Sequence, residues 1–538
     1  MFSFEITQLG NLFFILNIIV FATTFFMVKM KNIPLYIVVF LSLSGVFYAD
    51  SFLTLFIFWE IMTWSSFFII KQTSSLKTTQ KYIVFNLASG FAILFAIVLI
   101  YSFTGSFEYS LVDFSKIPQN ILYMISVLVF IAVFIKSGIL PFHHWIVDTY
   151  KQSNDIFSSV LSAIISKAGV FLFILFFYRF EEFGFDFVFY MVAILGVVTS
   201  IVSTFKAISQ DNLKSLLAYS SIAQLGYIIT VLALLNEQAL QSGLYYIIIH
   251  TLTKLLLFIN IAAIIYATSI DKFSNLGALI YKYQYNFILL VVGIIALAAM
   301  PPVGGFSGKF LIYTTLLESE KLLLLIAVMF SSASAFLYCY KLVYGIYLGS
   351  ESLSKGKKEY KKIPFYYYIS QTIAALILIT LGVFPAIIVP YLNDILVSFN
   401  LNALLFENIY TLDTTFGSFN GAVVMGGFGV LFVIILALFL KGKTNNIKDT
   451  KDISYCGEIP NKDVNLHYGY GMGKELIRIR FIKIILLNSS KKFWDNIQDI
   501  SSDISNSFKK LYTLGVQNVV LLTILFFTSL LFAGVYRW

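Results

Sequence analysis

Apolar runs of about twenty residues, separated by short polar connections, recur along most of this chain. A helix needs about 20 mostly apolar residues to cross the hydrocarbon core. On that rule the pattern predicts helices near 9–28, 33–49, 51–70, 81–103, 120–140, 156–178, 187–205, 215–235, 240–268, 286–317, 322–347, 365–390, 420–440 and 516–536, fourteen crossings in all. Two of these are interrupted. Pro141 breaks the fifth, and PPVGGF, with Pro301, Pro302, Gly304 and Gly305, breaks the tenth; proline removes a backbone donor and glycine weakens the turn. The breaks lie five helices apart, and an odd offset inverts orientation, so helices two to six and seven to eleven read as inverted repeats with a site at each break.

Past residue 440 the pattern changes. KGKTNNIKDTKDISYCGEIPNKD is polar, and 474–511 is helical in period but too charged to span. Phe493, Ile497, Ile500, Ile504, Phe508 and Leu511 recur at three- and four-residue steps opposite Lys491, Lys492, Asp495, Asp499 and Lys510. That is an amphipathic helix lying along a membrane or partner surface. The expected fold is therefore an all-α polytopic membrane protein: an N-terminal helix (1–32), two inverted five-helix repeats (33–180 and 181–348), two further transmembrane helices (349–440), a linker with a lateral amphipathic helix (441–515), and a C-terminal transmembrane anchor (516–538).

Composition agrees. Of 538 residues 59% are hydrophobic and 12% charged, against about 25% charged in a soluble chain. The net charge of +9 is no sign of nucleic acid in such a chain, because basic residues gather in cytoplasmic loops. Odd-numbered connections hold Lys29 and Lys31; Lys71, Lys77 and Lys81; Lys151; Lys206 and Lys214; Lys272 and Lys282; the KGKKEYKK run; and the basic stretch after Lys441. Even-numbered ones hold Glu108, Asp113, Glu181, Glu182, Glu237, Glu318, Glu320, Asp394, Glu407 and Asp413, and on that side only Lys116, Arg179, Lys321 and the terminal Arg537 are basic. The odd loops and the lateral helix are thus expected on the cytoplasmic side of the inner membrane, with both termini outside. The N-terminus carries Glu5 and no basic segment, so its first apolar run is expected to be a retained helix rather than a signal peptide. Cys339, Cys456 and four histidines fall short of the ligand sets of zinc or iron–sulfur centres. No metal, cofactor or catalytic residue is expected on this chain.

Ionisable residues nevertheless stand inside the apolar runs: Glu60, Lys136, Lys167, His250, Lys254 and Lys309. One lysine at the centre of a lipid-facing segment costs about 2.5–3.5 kcal/mol on insertion scales, so a series of them points to ion transfer. A buried carboxylate is either neutral or paired with a cation, and Lys136 is the natural partner for Glu60. Lysine's charge state responds readily to burial, so carboxylates and lysines alternating along a route can store and pass a proton. Lys341, near a helix end, reads as snorkelling. His143 and His144, at the first break, read either as functional groups or as caps on freed carbonyls; Tyr219, Ser220 and Ser221 read as helix packing.

Several segments occur in order: WE at 59–60, IKSGILPFHHWIVD at 135–148, KAG at 167–169, DNLKSLLAYSSIAQLGY at 211–227, HTLTK at 250–254 and PPVGGFSGKF at 301–310. Across about residues 40–390 the chain resembles the antiporter-like subunits shared by respiratory complex I (NADH-quinone oxidoreductase), energy-converting membrane-bound nickel–iron hydrogenases and Mrp sodium/proton antiporters. The resemblance implies an ion pair of Glu60 with Lys136, a central relay of Lys167, His250 and Lys254, and a terminal proton site at Lys309. It implies a proton-translocating, non-redox subunit of a larger oxidoreductase complex. Iron–sulfur clusters and nickel–iron or flavin would sit on partner subunits, beside further antiporter-like subunits, a membrane anchor for a peripheral redox arm, and lipids. An Mrp-type antiporter component, a membrane scaffold and the membrane part of an inorganic-carbon uptake complex stand as alternatives. YCGE at 455–458 resembles the hydrogenase type. Family members usually carry about four helices before the glutamate helix, whereas two are predicted here.

Overall fold

The computed structural model describes residues 3–178, 186–348, 360–404 and 407–441, with Ile482, Trp494 and Asp503 singly. Almost all belong to one compact unit, Met1–Ile485; of the other, Leu486–Trp538, only Trp494 and Asp503 are described. The expected lateral helix, the final anchor and YCGE lie outside the described residues.

The first unit opens with α1 (Gln8–Phe25), α2 (Ile33–Phe47), α3 (Phe52–Lys71), α4 (Leu76–Thr104) and α5 (Gln119–Ser137). After the first break come α6 (His144–Gln152), α7 (Asp155–Val160) and α8 (Lys167–Phe177). Next are α9 (Asp186–Ser209), α10 (Leu213–Leu232), α11 (Glu237–Thr268) and α12 (Gln284–Ala298). Beyond the second break lie α13 (Gly305–Glu318), α14 (Leu322–Val343), α15 (Phe365–Val383), α16 (Val389–Ser398), a hairpin of β1 (Thr411–Thr414) and β2 (Gly417–Asn420), and α17 (Gly421–Lys441). A π-helical turn, Leu161–Ile165, joins α7 to α8, and another, Tyr344–Leu348, ends α14.

Local chemistry explains many helix starts. Ser51, Ser75, Asn154, Asn212 and Asn236 each accept a backbone N–H of the first turn that has no partner within the helix. Among the described residues eleven helices are long and apolar enough to cross a membrane. The expected tenth helix, 286–317, is instead two pieces, α12 and α13, each too short to cross by itself. Ala299 turns into the left-handed region (φ 57°) before two prolines that cannot donate to a helical ladder. Helix α16 and the β1–β2 hairpin fill a connection in which no element was expected. The hairpin pairs Thr411 with Asn420 and Leu412 with Phe419.

Burial sorts the helices into two sets. The spans Asp155–Phe177, Leu213–Leu232 and Glu237–Thr268 are each buried throughout an apolar stretch of 18 residues, whereas the other spans are partly exposed there. A chain in lipid can keep polar groups only where protein surrounds them. These three central spans hold Lys167, Ser220, His250 and Lys254.

Candidate functional site

The site begins where α4 packs against both α3 and α5. Asn86 and Gly90 are one turn apart on α4 and share a face. Lys136, fully buried next to the end of α5, donates from Nζ to Asn86 Oδ1 at 3.0 Å and lies 5.1 Å from the Trp59 ring centroid. Glu60 Oε1 rests on Gly90, in space that a Cβ there would occupy, and that oxygen has no hydrogen-bond partner. The expected Glu60–Lys136 ion pair is therefore not closed: Asn86 takes the ammonium. The two groups still feel each other's charge. Gly169, of the KAG segment, lets α8 come close to α5: a Cβ there would lie 2.6 Å from Ser137 Oγ and 3.0 Å from Lys136 Cβ.

The centre is built by the π turn. Ser166 N–H bonds to the Leu161 carbonyl at 3.1 Å, five residues back, instead of to Ser162. The Ser162 carbonyl accepts Ser166 Oγ at 3.1 Å and also the Lys167 ammonium. Ser162 Oγ meets Ser221 Oγ at 2.7 Å, and the adjacent Ser220 Oγ accepts Lys254 Nζ at 2.6 Å. Ser220 and Ser221 both donate to the Leu217 carbonyl, so this turn of α10 stands between Ser162, which holds Lys167, and Lys254 of α11. His250, one turn before Lys254, is buried with both ring nitrogens lacking a hydrogen-bond partner, and it interacts electrostatically with Lys167 and Lys254.

Lys309 of α13 ends the row. Its Nζ donates to Ser332 Oγ at 2.6 Å and lies 5.4 Å from the Tyr227 ring centroid. Tyr227 in turn donates to Ser331 Oγ at 2.9 Å. Cys339 of α14 is buried.

The breaks sit beside this row. Leu140–Pro141 is cis, Leu140 N–H bonds to Thr199 Oγ1 at 3.1 Å, and His143 stands just before α6 without a side-chain capping bond, its Nε2 3.4 Å from Lys206 Nζ. Pro301–Pro302 is also cis, Gly304 N–H bonds to the Leu378 carbonyl at 2.9 Å, and Gly305 packs so tightly on the Ala296 carbonyl that an added Cβ would overlap it.

Other lysines depart from their expected places. Lys206 and Lys214, expected in a loop, are buried; Lys214 pairs with Asp155 at 2.7 Å. Lys341 does not snorkel. It is buried and donates to the carbonyls of Ile208 (3.0 Å) and Gln210 (2.6 Å), capping the end of α9. The sequence pattern gives no sign of Asn86, Ser162 or Ser332, and it treats Ser220 as packing. For Lys206 a signal is present, since Thr199, Ser203 and Lys206 recur at helical spacing on one face of an otherwise apolar run.

Residues 49–335 match the family model described as NADH:quinone oxidoreductase/Mrp antiporter, transmembrane. One of the Na(+)/H(+) antiporter subunits of Alkalihalophilus pseudofirmus is 26% identical over 82% of this chain, which spans 58% of that relative's own length. One of the F(420)H(2) dehydrogenase subunits of Methanosarcina mazei is 29% identical over 63% of this chain and 71% of its own. Among solved structures, a chain of the membrane-bound sulfane sulfur reductase, an archaeal respiratory membrane complex, superposes with a TM-score of 0.88 at 25% identity, covering 98% of this chain and 89% of its own. A chain of respiratory complex I from Thermus thermophilus superposes with a TM-score of 0.61 at 20% identity, covering 73% of this chain and 88% of its own, a likeness of fold.

Proposed function

The chain belongs to the NADH:quinone oxidoreductase/Mrp antiporter transmembrane family, and on that basis we propose that it carries protons along its buried lysine row as one subunit of a redox-driven, complex-I-related ion pump. It is an antiporter-like multi-pass membrane subunit, and its relatives belong to complexes with other membrane subunits. The observation that carries the proposal is the row itself. Lys136, Lys167, Lys254 and Lys309 are each at most 2% exposed, and each donates to a neutral acceptor rather than to a carboxylate. A neutral acceptor steadies an ammonium without locking the charge in place as an ion pair would. Proton transfer would start with closure of Glu60 onto Lys136 and pass through Lys167, His250 and Lys254 to Lys309. Both ring nitrogens of His250, in the middle of this route, lack a hydrogen-bond partner, and water is their natural partner there.

The element order supports two inverted repeats. A helix broken at proline is the fourth of five in each proposed half: α5 and α6 in the first, α12 and α13 in the second. We place the basic loops on the cytoplasmic side and the iron–sulfur and other redox centres on partner subunits. Coverage of nearly the whole chain by the sulfane sulfur reductase chain favours a redox-driven complex. The extent of the match to the sodium/proton antiporter relative keeps an Mrp-type antiporter as the second reading.

The test uses the intact complex in proteoliposomes with a pH-sensitive dye. Lys136→Ala and Lys309→Ala are each expected to reduce donor-driven proton uptake to background while the complex still assembles. Wild-type uptake in both variants refutes the relay. A complex that purifies without any redox subunit, yet exchanges sodium for protons, selects the second reading.

A further inference from the structure

The structure holds an open groove of about 730 Å³ between the starts of α12 and α15, lined by Tyr281, Lys282, Tyr285, Phe365, Tyr368 and Ile369 among others. It stands apart from the proton row, at the ends of the loops that hold Lys272, Lys282 and Lys361. Its rim is basic and aromatic. Lys282 Nζ lies 4.2 Å from the Tyr360 ring centroid, Tyr283 donates to the Lys361 carbonyl at 2.8 Å, and Lys361 and Lys362 are exposed. Its wall is apolar. Phe365, Ile369 and Ile373 follow one another at four-residue steps on α15, all exposed, facing Tyr285 across a 2.8 Å Tyr285–Thr372 hydroxyl contact. The described lining contains a cation and no carboxylate.

We propose that this groove binds an anionic phospholipid of the phosphatidylglycerol class, its phosphate between Lys282 and Lys361 and one acyl chain along Phe365, Ile369 and Ile373. Charge selects this occupant. Lysines at the membrane surface attract anionic headgroups, and tyrosines mark the headgroup depth. The apolar row then runs from that depth down the axis of α15, the direction an acyl chain takes. The openings of two helices at the same rim add to the positive field without defining the site.

The test has two arms. First, the full chain in detergent is titrated with dioleoylphosphatidylglycerol or dioleoylphosphatidylcholine and followed by native mass spectrometry. The wild type is expected to retain phosphatidylglycerol about 25-fold more tightly. Lys282→Gln and Lys361→Gln should each cost about fivefold, removing the preference when combined. Second, a photo-crosslinker attached at Ile369→Cys in native membranes is expected to capture lipid. Equal affinity of the wild type for the two lipids, an unchanged preference in the double variant, or a crosslink to a peptide of a neighbouring subunit or of this chain each overturns the proposal.

Discussion

At the first break α5 ends at Ser137, Gly138 turns left-handed (φ 72°) and Pro141 follows; at the second α12 ends at Ala298, Ala299 turns left-handed (φ 57°) and Pro301 follows. The backbone is interrupted in the same manner, yet the surroundings are opposite. Around the first, the freed groups meet side chains: Thr199 accepts Leu140 N–H, Trp145 Nε1 donates to the Ile135 carbonyl at 2.8 Å, and His143 faces Lys206. Around the second they meet main chain. Leu378 offers its carbonyl, Gly382 lies so near Pro302 that an added Cβ would overlap its carbonyl oxygen, and Phe419 of the hairpin covers Phe306 at 4.8 Å between ring centroids. Inside a membrane a broken helix survives only if its freed backbone groups find partners. Those partners can be side chains or main chain, and the two breaks divide on that line.

Five substitutions put that contrast to the test. The largest effect is expected from Gly305→Val, whose side chain would enter the Ala296 carbonyl; a loss of about 3 kcal/mol should appear as absence of a folded peak in size-exclusion chromatography. Thr199→Val should cost about 2 kcal/mol by leaving Leu140 N–H unsatisfied, read as a lower melting temperature. Truncating Leu378 leaves its carbonyl in place, so the equivalent bond at the second break should survive. Lys206→Met is expected to slow proton uptake about tenfold, or about 1.4 kcal/mol on the barrier, with assembly unchanged; unaltered uptake would mean that the polar first break serves only the fold. Phe419→Leu should be mildest, about 1 kcal/mol in thermal stability with unchanged transport, since it removes only an aromatic contact from the second break.

Much of the membrane architecture was legible because it follows from one-dimensional rules: the length of an apolar run, the proline that ends a ladder, and the serine or asparagine that begins one. The candidate site was legible through its expensive members, Glu60, Lys136, Lys167, His250, Lys254 and Lys309, which stand out because lipid penalises them. Their partners were not. A serine in an apolar helix costs little, so nothing in LLAYSSIAQ separates Ser220, which holds Lys254, from a serine that packs. Lys206 and Lys341 were misplaced for a related reason: position near a helix end gives the depth of a lysine but not the direction it faces.

Local chemistry along the chain is enough to specify a membrane protein, to locate the two helices that break and to pick out the ionisable residues those helices and their neighbours carry. Packing was needed for the rest: that Asn86 rather than Glu60 holds Lys136, that a π turn aims the Ser162 carbonyl at Lys167, and that the two breaks differ in polarity. These outcomes depend on which faces of separate helices meet, and a helical period specifies a face without naming the helix that will pack against it.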